Sequence, residues 1–203
     1  MSNKKPTIQE YLSLGYIYLI VLGLTTEVIY YNFLGINILN YASILDVLIS
    51  PINILTRNAK SFIFLVVFLG ALTYSMIHLI PKLHQWQKRF AWYRKMYDMD
   101  KYDAIYAKKT DFDSVVRLVA FLLFSMFIGL SLGSAGKVRE RIANNTFELT
   151  HQLVFQDGTQ KSVKVIGQNS TFIFYVEKGD KEVTASPIFA NVKLIQKLPK
   201  KKK

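Results

Sequence analysis

The segment from Asp113 to Gly136, DSVVRLVAFLLFSMFIGLSLGSAG, is an almost unbroken apolar run, about as long as the roughly 20 residues with which a helix crosses a bilayer. A membrane span is therefore the first expectation, and the rest of the chain can be placed by its distance from it. Ser125, Gly129 and Gly133 recur at every fourth position, and Gly136 extends the small-residue character. Such a face lets another helix backbone approach closely, which predicts a packed span and association between copies of the chain.

Half of the 203 residues are apolar (51%), and they come in blocks, the pattern of a membrane protein. The absence of cysteine rules out a disulfide framework, thiolate metal ligands and a cysteine nucleophile. The net charge of +12 would point to nucleic acid in a soluble protein. Here the basic residues sit beside apolar segments, where they mark cytosolic loops and contacts with anionic lipid. The reading is a lipid partner and no nucleic acid.

Residues 1–10 form a polar amino terminus carrying Lys4 and Lys5, and an apolar segment follows over about 11–35. Thr25, Thr26 and Glu27 interrupt it, but apolar character resumes at Val28, so it reads as a retained signal anchor. Glu27 has two readings: a polar group facing the bundle interior, or a carboxylate at the headgroups if the hydrocarbon layer ends near Leu24. Residues 37–55 are apolar in pattern yet contain Asn37, Asn40, Asp46, Pro51 and Asn53. Too many polar groups would need burial for a full span, so an interfacial or re-entrant helix is expected. The second span is read at 61–80, SFIFLVVFLGALTYSMIHLI.

The loop 82–111 interleaves Lys82, Lys88, Arg89, Arg94, Lys95, Lys101, Lys108 and Lys109 with tryptophan, phenylalanine and tyrosine. That composition could stack on single-stranded nucleic acid, but it suits the headgroup layer beside a span better. Asp98, Asp100 and Asp103 resemble the start of a calcium loop without its glycine and distal glutamate, and read as solvated charge balance. Asp111 and Asp113 fit helix caps. Arg117, one turn into the last span, suits snorkelling to the headgroups. His78, His84 and His151 lack ligand spacing, and no GxSxG or HExxH arrangement occurs. No catalytic, cofactor or metal site is expected.

Beyond the linker 137–145 the pattern changes to period two across 146–198. Strands at 147–155 and 161–166 flank QDGTQ, and strands at 171–177 and 182–185 flank KGDK; both inserts are hairpin signals. A short turn at 187–191 precedes a last strand at 192–195. Phe172, Phe174 and Val176 alternate with Ile173 and Tyr175, so both faces of that strand are apolar. Phe172, Phe174 and Tyr175 are candidates for a ligand or partner face. Residues 199–203 form a lysine tail.

The expected architecture is thus membrane α-helical over 11–136, with three spans (about 11–35, 61–80 and 113–136) plus an interfacial or re-entrant helix. A small all-β, SH3-like or Sm-like domain follows. The positive-inside rule places the amino terminus and 82–111 in the cytosol, with the carboxyl-terminal domain outside a cell inner or plasma membrane. In that location Asn144 and Asn169, each in a sequon, could be glycosylated in a eukaryote.

The runs KVIGQNSTFIFYVEKGDKEVTASPIFANVKLI and YYNFLGINILNYASILDVL resemble segments of uncharacterised small bacterial multi-span membrane proteins with a carboxyl-terminal β domain. A fainter similarity is to small-conductance mechanosensitive channels, which pair a glycine-rich third span with a small β domain. Gly129, Gly133, Gly136 and the hairpin at Gly179 carry it. The first resemblance implies no established activity. The expected function is a non-enzymatic, oligomeric membrane protein whose β domain senses a ligand or binds a protein partner. The alternative is a pore, either mechanosensitive-like or a membrane-disrupting effector of a bacterial defence system.

Overall fold

The computed structural model describes residues 7–56, 59–107 and 112–199. Lys4, Lys5, Arg57, Lys108, Lys109, the Asp111 cap and the tail lysines Lys200 to Lys203 lie outside the described residues. The chain forms two compact units, one of Met1–Ile54 with Phe127–Lys203 and one of Leu55–Met126. Among the described residues, three helices are long and apolar enough to cross a membrane: Ile8–Phe33, Val66–Gln87 and Asp113–Ala143.

In the first unit, α1 (Ile8–Phe33) opens on a capping box. The Glu10 amide donates to Thr7 Oγ1 at 3.4 Å and the Thr7 amide to the Glu10 carboxylate at 2.6 Å, satisfying two amides that the first turn leaves without carbonyls. At its other end the Gly35 amide bonds the Asn32 carbonyl and the Ile36 amide the Tyr31 carbonyl. This Schellman closure needs the left-handed backbone that Gly35 supplies at φ 80°. A 3-10 turn (Ile38–Asn40) leads into α2 (Ile44–Thr56).

Helix α7 (Phe112–Ala143) ends by the same device, with Thr146 bonded to the Arg141 carbonyl and Asn145 to Ile142. Asn145 takes the left-handed position at φ 53°. This stop turns the chain before the sheet begins, so β1 starts at His151 and not at the expected 147. Phe147 is buried with Ile142 and Val176 instead, and Leu149 packs against them.

Five antiparallel strands follow: β1 (His151–Phe155), β2 (Gln160–Gln168), β3 (Phe172–Glu177), β4 (Thr184–Pro187) and β5 (Val192–Lys197). Their order is β4-β3-β2-β1-β5, with a helical turn α8 (Ile188–Asn191) before β5. Gly158 and Gly179 hold positive φ in the two hairpins, as the Asp-Gly and Lys-Gly signals predict. Because strand side chains alternate, β3 feeds two cores. Ile173 and Tyr175 join Leu153, Val163 and Val192 on one face. Phe174 and Val176 point to the other.

In the second unit, α3 (Ala59–Tyr74) passes through a π-helical turn (Ser75–Leu79) into α4 (Ile80–Gln87). The wider turn lets the helix continue through Pro81, which has no amide to donate and whose ring would crowd the preceding turn of an α-helix. The apolar helical segment therefore runs past residue 80. Two short helices, α5 (Ala91–Met96) and α6 (Met99–Ala107), follow.

Candidate functional site

The second face of the sheet meets the carboxyl end of α1 and the turn after it. Tyr31, Ile36, Ile38 and Phe174 form one buried cluster, with Val28, Tyr41, Ile166 and Phe172 packed around it. The Tyr31 and Phe174 rings lie 4.8 Å apart between centroids, and Tyr41 stands edge-on to Phe172 at 5.0 Å and to Phe174 at 5.7 Å. Ring pairs in these geometries add about 0.5–1.5 kcal/mol each beyond the area they bury.

Gly167 is what lets the ring of Tyr31 come so close. It follows an irregularity in the β2–β3 register between Val165 and Gly167. A Cβ there would collide with the Tyr31 hydroxyl oxygen and lie 3.2 Å from its Cζ. A glycine inside a strand signals such an approach.

A polar latch adjoins the aromatic cluster. Asp46, in the first turn of α2, accepts bonds from the Ser43 amide at 3.0 Å and hydroxyl at 2.7 Å, while its own amide donates back to Ser43 Oγ at 3.2 Å. The same carboxylate accepts from the amide and hydroxyl of Ser170, both at 3.0 Å, in the β2–β3 turn. Burial pushes the carboxyl up, but the Ser43 and Ser170 bonds outweigh it and hold Asp46 below the usual carboxylate range. Beside it, Asn169 Nδ2 donates to the Tyr41 carbonyl at 3.0 Å, and its Oδ1 accepts from the Thr171 and Phe172 amides.

No family model, curated protein or solved structure matches this chain.

Of the residues singled out in the sequence, Phe174 is fully buried and Tyr175 nearly so, on opposite faces of β3, while Phe172 is half-buried under Tyr41. On the Phe172 and Phe174 side of the strand, this chain's own Tyr31 and Tyr41 take up that apolar surface. On the other side of the sheet a groove of about 310 Å³ remains, with Tyr175, Ser186, Lys161 and Asn191 among its walls. Lys161 Nζ donates to the Glu177 carboxylate at 2.7 Å, which holds the lysine above its ordinary value.

Ser125, Gly129 and Gly133 are exposed on α7 and Gly136 is half-buried. Among the described residues, a Cβ added at Gly129, Gly133 or Gly136 would meet nothing within 4 Å. Where α7 does meet α1, the contact runs through Ser131: its buried hydroxyl donates to the Thr26 carbonyl at 2.7 Å. Glu27 is half-buried. Arg117 is exposed and donates to Ser114 Oγ at 3.0 Å.

In the second unit, His84 gains the partners that its spacing did not reveal. It is 3% exposed, with Nδ1 3.0 Å from the Tyr93 hydroxyl and Nε2 3.2 Å from the Asp103 carboxylate, which also pairs with Lys88. Those bonds hold Asp103 below the usual carboxylate range, Lys88 contributing most. Among the described residues no group of three metal-ligating side chains occurs.

Proposed function

We propose that this protein is a non-enzymatic integral membrane protein that self-associates through the Ser125, Gly129 and Gly133 face of α7, and whose sheet domain relays a binding event to its helices. The observation that carries this reading is the junction of Tyr31, Phe174 and Gly167 with the Asp46–Ser170 latch. A sheet that rests on α1 through a glycine-sized approach, and on α2 through the two bonds that Ser170 donates to Asp46, is coupled to both helices. The groove lined by Lys161, Tyr175 and Ser186 is where a polar ligand or a partner's side chain would bind.

Helices α1 and α7 both reach the sheet by their carboxyl ends, through Tyr31 and Ile142 respectively. Two spans running in the same direction require an odd number of crossings between them. That supports three spans, with the amino terminus and 82–111 on one side and the sheet on the other; the loop charges, by the positive-inside rule, make the first side the cytosolic one. A closed, strongly bent version of the strand order, with its helical turn before β5, is the SH3-like or Sm-like arrangement.

The buried Ser131 hydroxyl favours packing over conduction, because it is used on the Thr26 carbonyl of the neighbouring helix. The test is cross-linking of the full chain in native membranes, comparing wild type with Gly129→Leu and Gly133→Leu. Oligomers that either leucine abolishes are the expected result. A monomer throughout, or oligomers untouched by both substitutions, would sink the proposal.

A further inference from the structure

We propose that α4 to α6 form a docking surface for an anionic phospholipid bilayer, with Lys82, Arg89, Arg94 and Lys95 taking lipid phosphates and Trp92 entering the headgroup layer. The inference rests on the reading of this chain as an integral membrane protein.

The surface is built around His84. Its two ring nitrogens reach Tyr93 on α5 and Asp103 on α6, so three short helices are drawn around one buried imidazole. Apolar and cationic side chains of the same stretch are turned outward. Trp86 is 52% exposed, Trp92 56% and Met96 66%. Exposed aromatic and thioether groups gathered in so short a stretch mark an interaction surface.

The charges identify the partner. Lys88 pairs with Asp103 and Lys101 with Asp98, which neutralises two of the local carboxylates. Lys82, Arg89, Arg94 and Lys95 are exposed and have no ion pair among the described residues. An unbalanced group of cations interleaved with tryptophan complements a layer of lipid phosphates: the long stems lie along apolar surface while their heads meet the anions. Position agrees, since α4 is the last part of the apolar helical segment Val66–Gln87, and α5 starts four residues beyond it. Single-stranded nucleic acid would satisfy the same cations but offers no apolar layer for Met96.

The chain has only two tryptophans, Trp86 and Trp92, so fluorescence reads this surface directly. Full-length Trp86→Phe protein is reconstituted into phosphatidylcholine vesicles with or without phosphatidylglycerol, each also made with brominated acyl chains. The expected result is a blue-shifted Trp92 emission and stronger bromine quenching in the anionic vesicles. Both differences are lost in 1 M NaCl and in the K82Q/R89Q/R94Q/K95Q variant. The salt arm needs no substitution, so it decides the matter even if the variant misfolds.

Equal Trp92 emission and quenching in the two bilayers would overturn the docking surface while leaving the membrane reading intact. So would an oligonucleotide that draws Trp92 out of anionic vesicles. Failure of the protein to float with either vesicle would overturn both.

Discussion

The phenol of Tyr31 lies against the backbone of Gly167, in the space a Cβ would need. The two residues stand 136 positions apart, one at the end of a membrane-length helix and one beside a strand irregularity. Through this approach the sheet is seated on the helix.

Gly167→Ala should therefore destabilise the protein by about 1–3 kcal/mol, the usual cost of overpacking a filled site. Removing the oxygen that the new methyl meets, with Tyr31→Phe, should recover part of the loss. Chemical unfolding of the single and double variants in detergent measures both effects; additive losses would mean that the two positions do not compete for the same space.

Asp46→Ala removes the acceptor at the start of α2 and strands the Ser170 amide. Loss of a cap of this kind costs about 0.5–2 kcal/mol. Hydrogen exchange should show faster exchange at Ser43 and Ser170, with β1 amides unchanged.

The pH dependence of the latch follows from the depressed Asp46 carboxyl. Its stabilisation is fully present above the unfolded value of about 3.9 and disappears as pH falls through the lower folded value. Exchange at the Ser170 amide, followed from pH 6 downward, should accelerate only below about pH 4 after correction for intrinsic rates. Asp46→Asn should remove that step.

Ser131→Ala deletes the hydrogen bond that α7 donates to the Thr26 carbonyl of α1. Bonds between membrane helices average about 0.6 kcal/mol and reach about 1.7, so the loss should be small in a detergent unfolding titration. A loss above about 3 kcal/mol would mean that Ser131 also fills a packing site that alanine leaves empty.

Phe174→Ala should be the most damaging of these changes, at about 3–5 kcal/mol, because the ring is fully buried between the sheet and the two tyrosines. Leu194→Ala, on an exposed side chain of β5, should fall within about 0.5 kcal/mol of wild type. Thermal melts of the two variants side by side separate burial from strand propensity.

Much of this architecture could be read directly from the order of residues. Long apolar blocks announced the membrane-length helices, and Asp157-Gly158 and Lys178-Gly179 marked hairpins that are found where expected. The small-residue stripe on α7 was equally plain, and among the described residues nothing lies within 4 Å of a Cβ placed at Gly129, Gly133 or Gly136. Less was visible around His84. Neither Tyr93 nor Asp103 stands three or four residues away, and only the turns between α4, α5 and α6 bring them to the imidazole.

Local order of residues was sufficient to say that β3 would be apolar on both faces, that helices would carry the first two thirds, and that the chain would suit a bilayer. Each of these depends on periodicity or run length, which neighbouring residues define among themselves. That the second face of β3 is covered by Tyr31 and Tyr41, and that Asp46 caps α2 while holding Ser170, depends on contacts across more than 120 residues. Apolar attraction has no direction and selects no partner, so those pairings arise only when the folded chain brings a glycine-sized gap to a particular ring and a turn amide to a particular carboxylate.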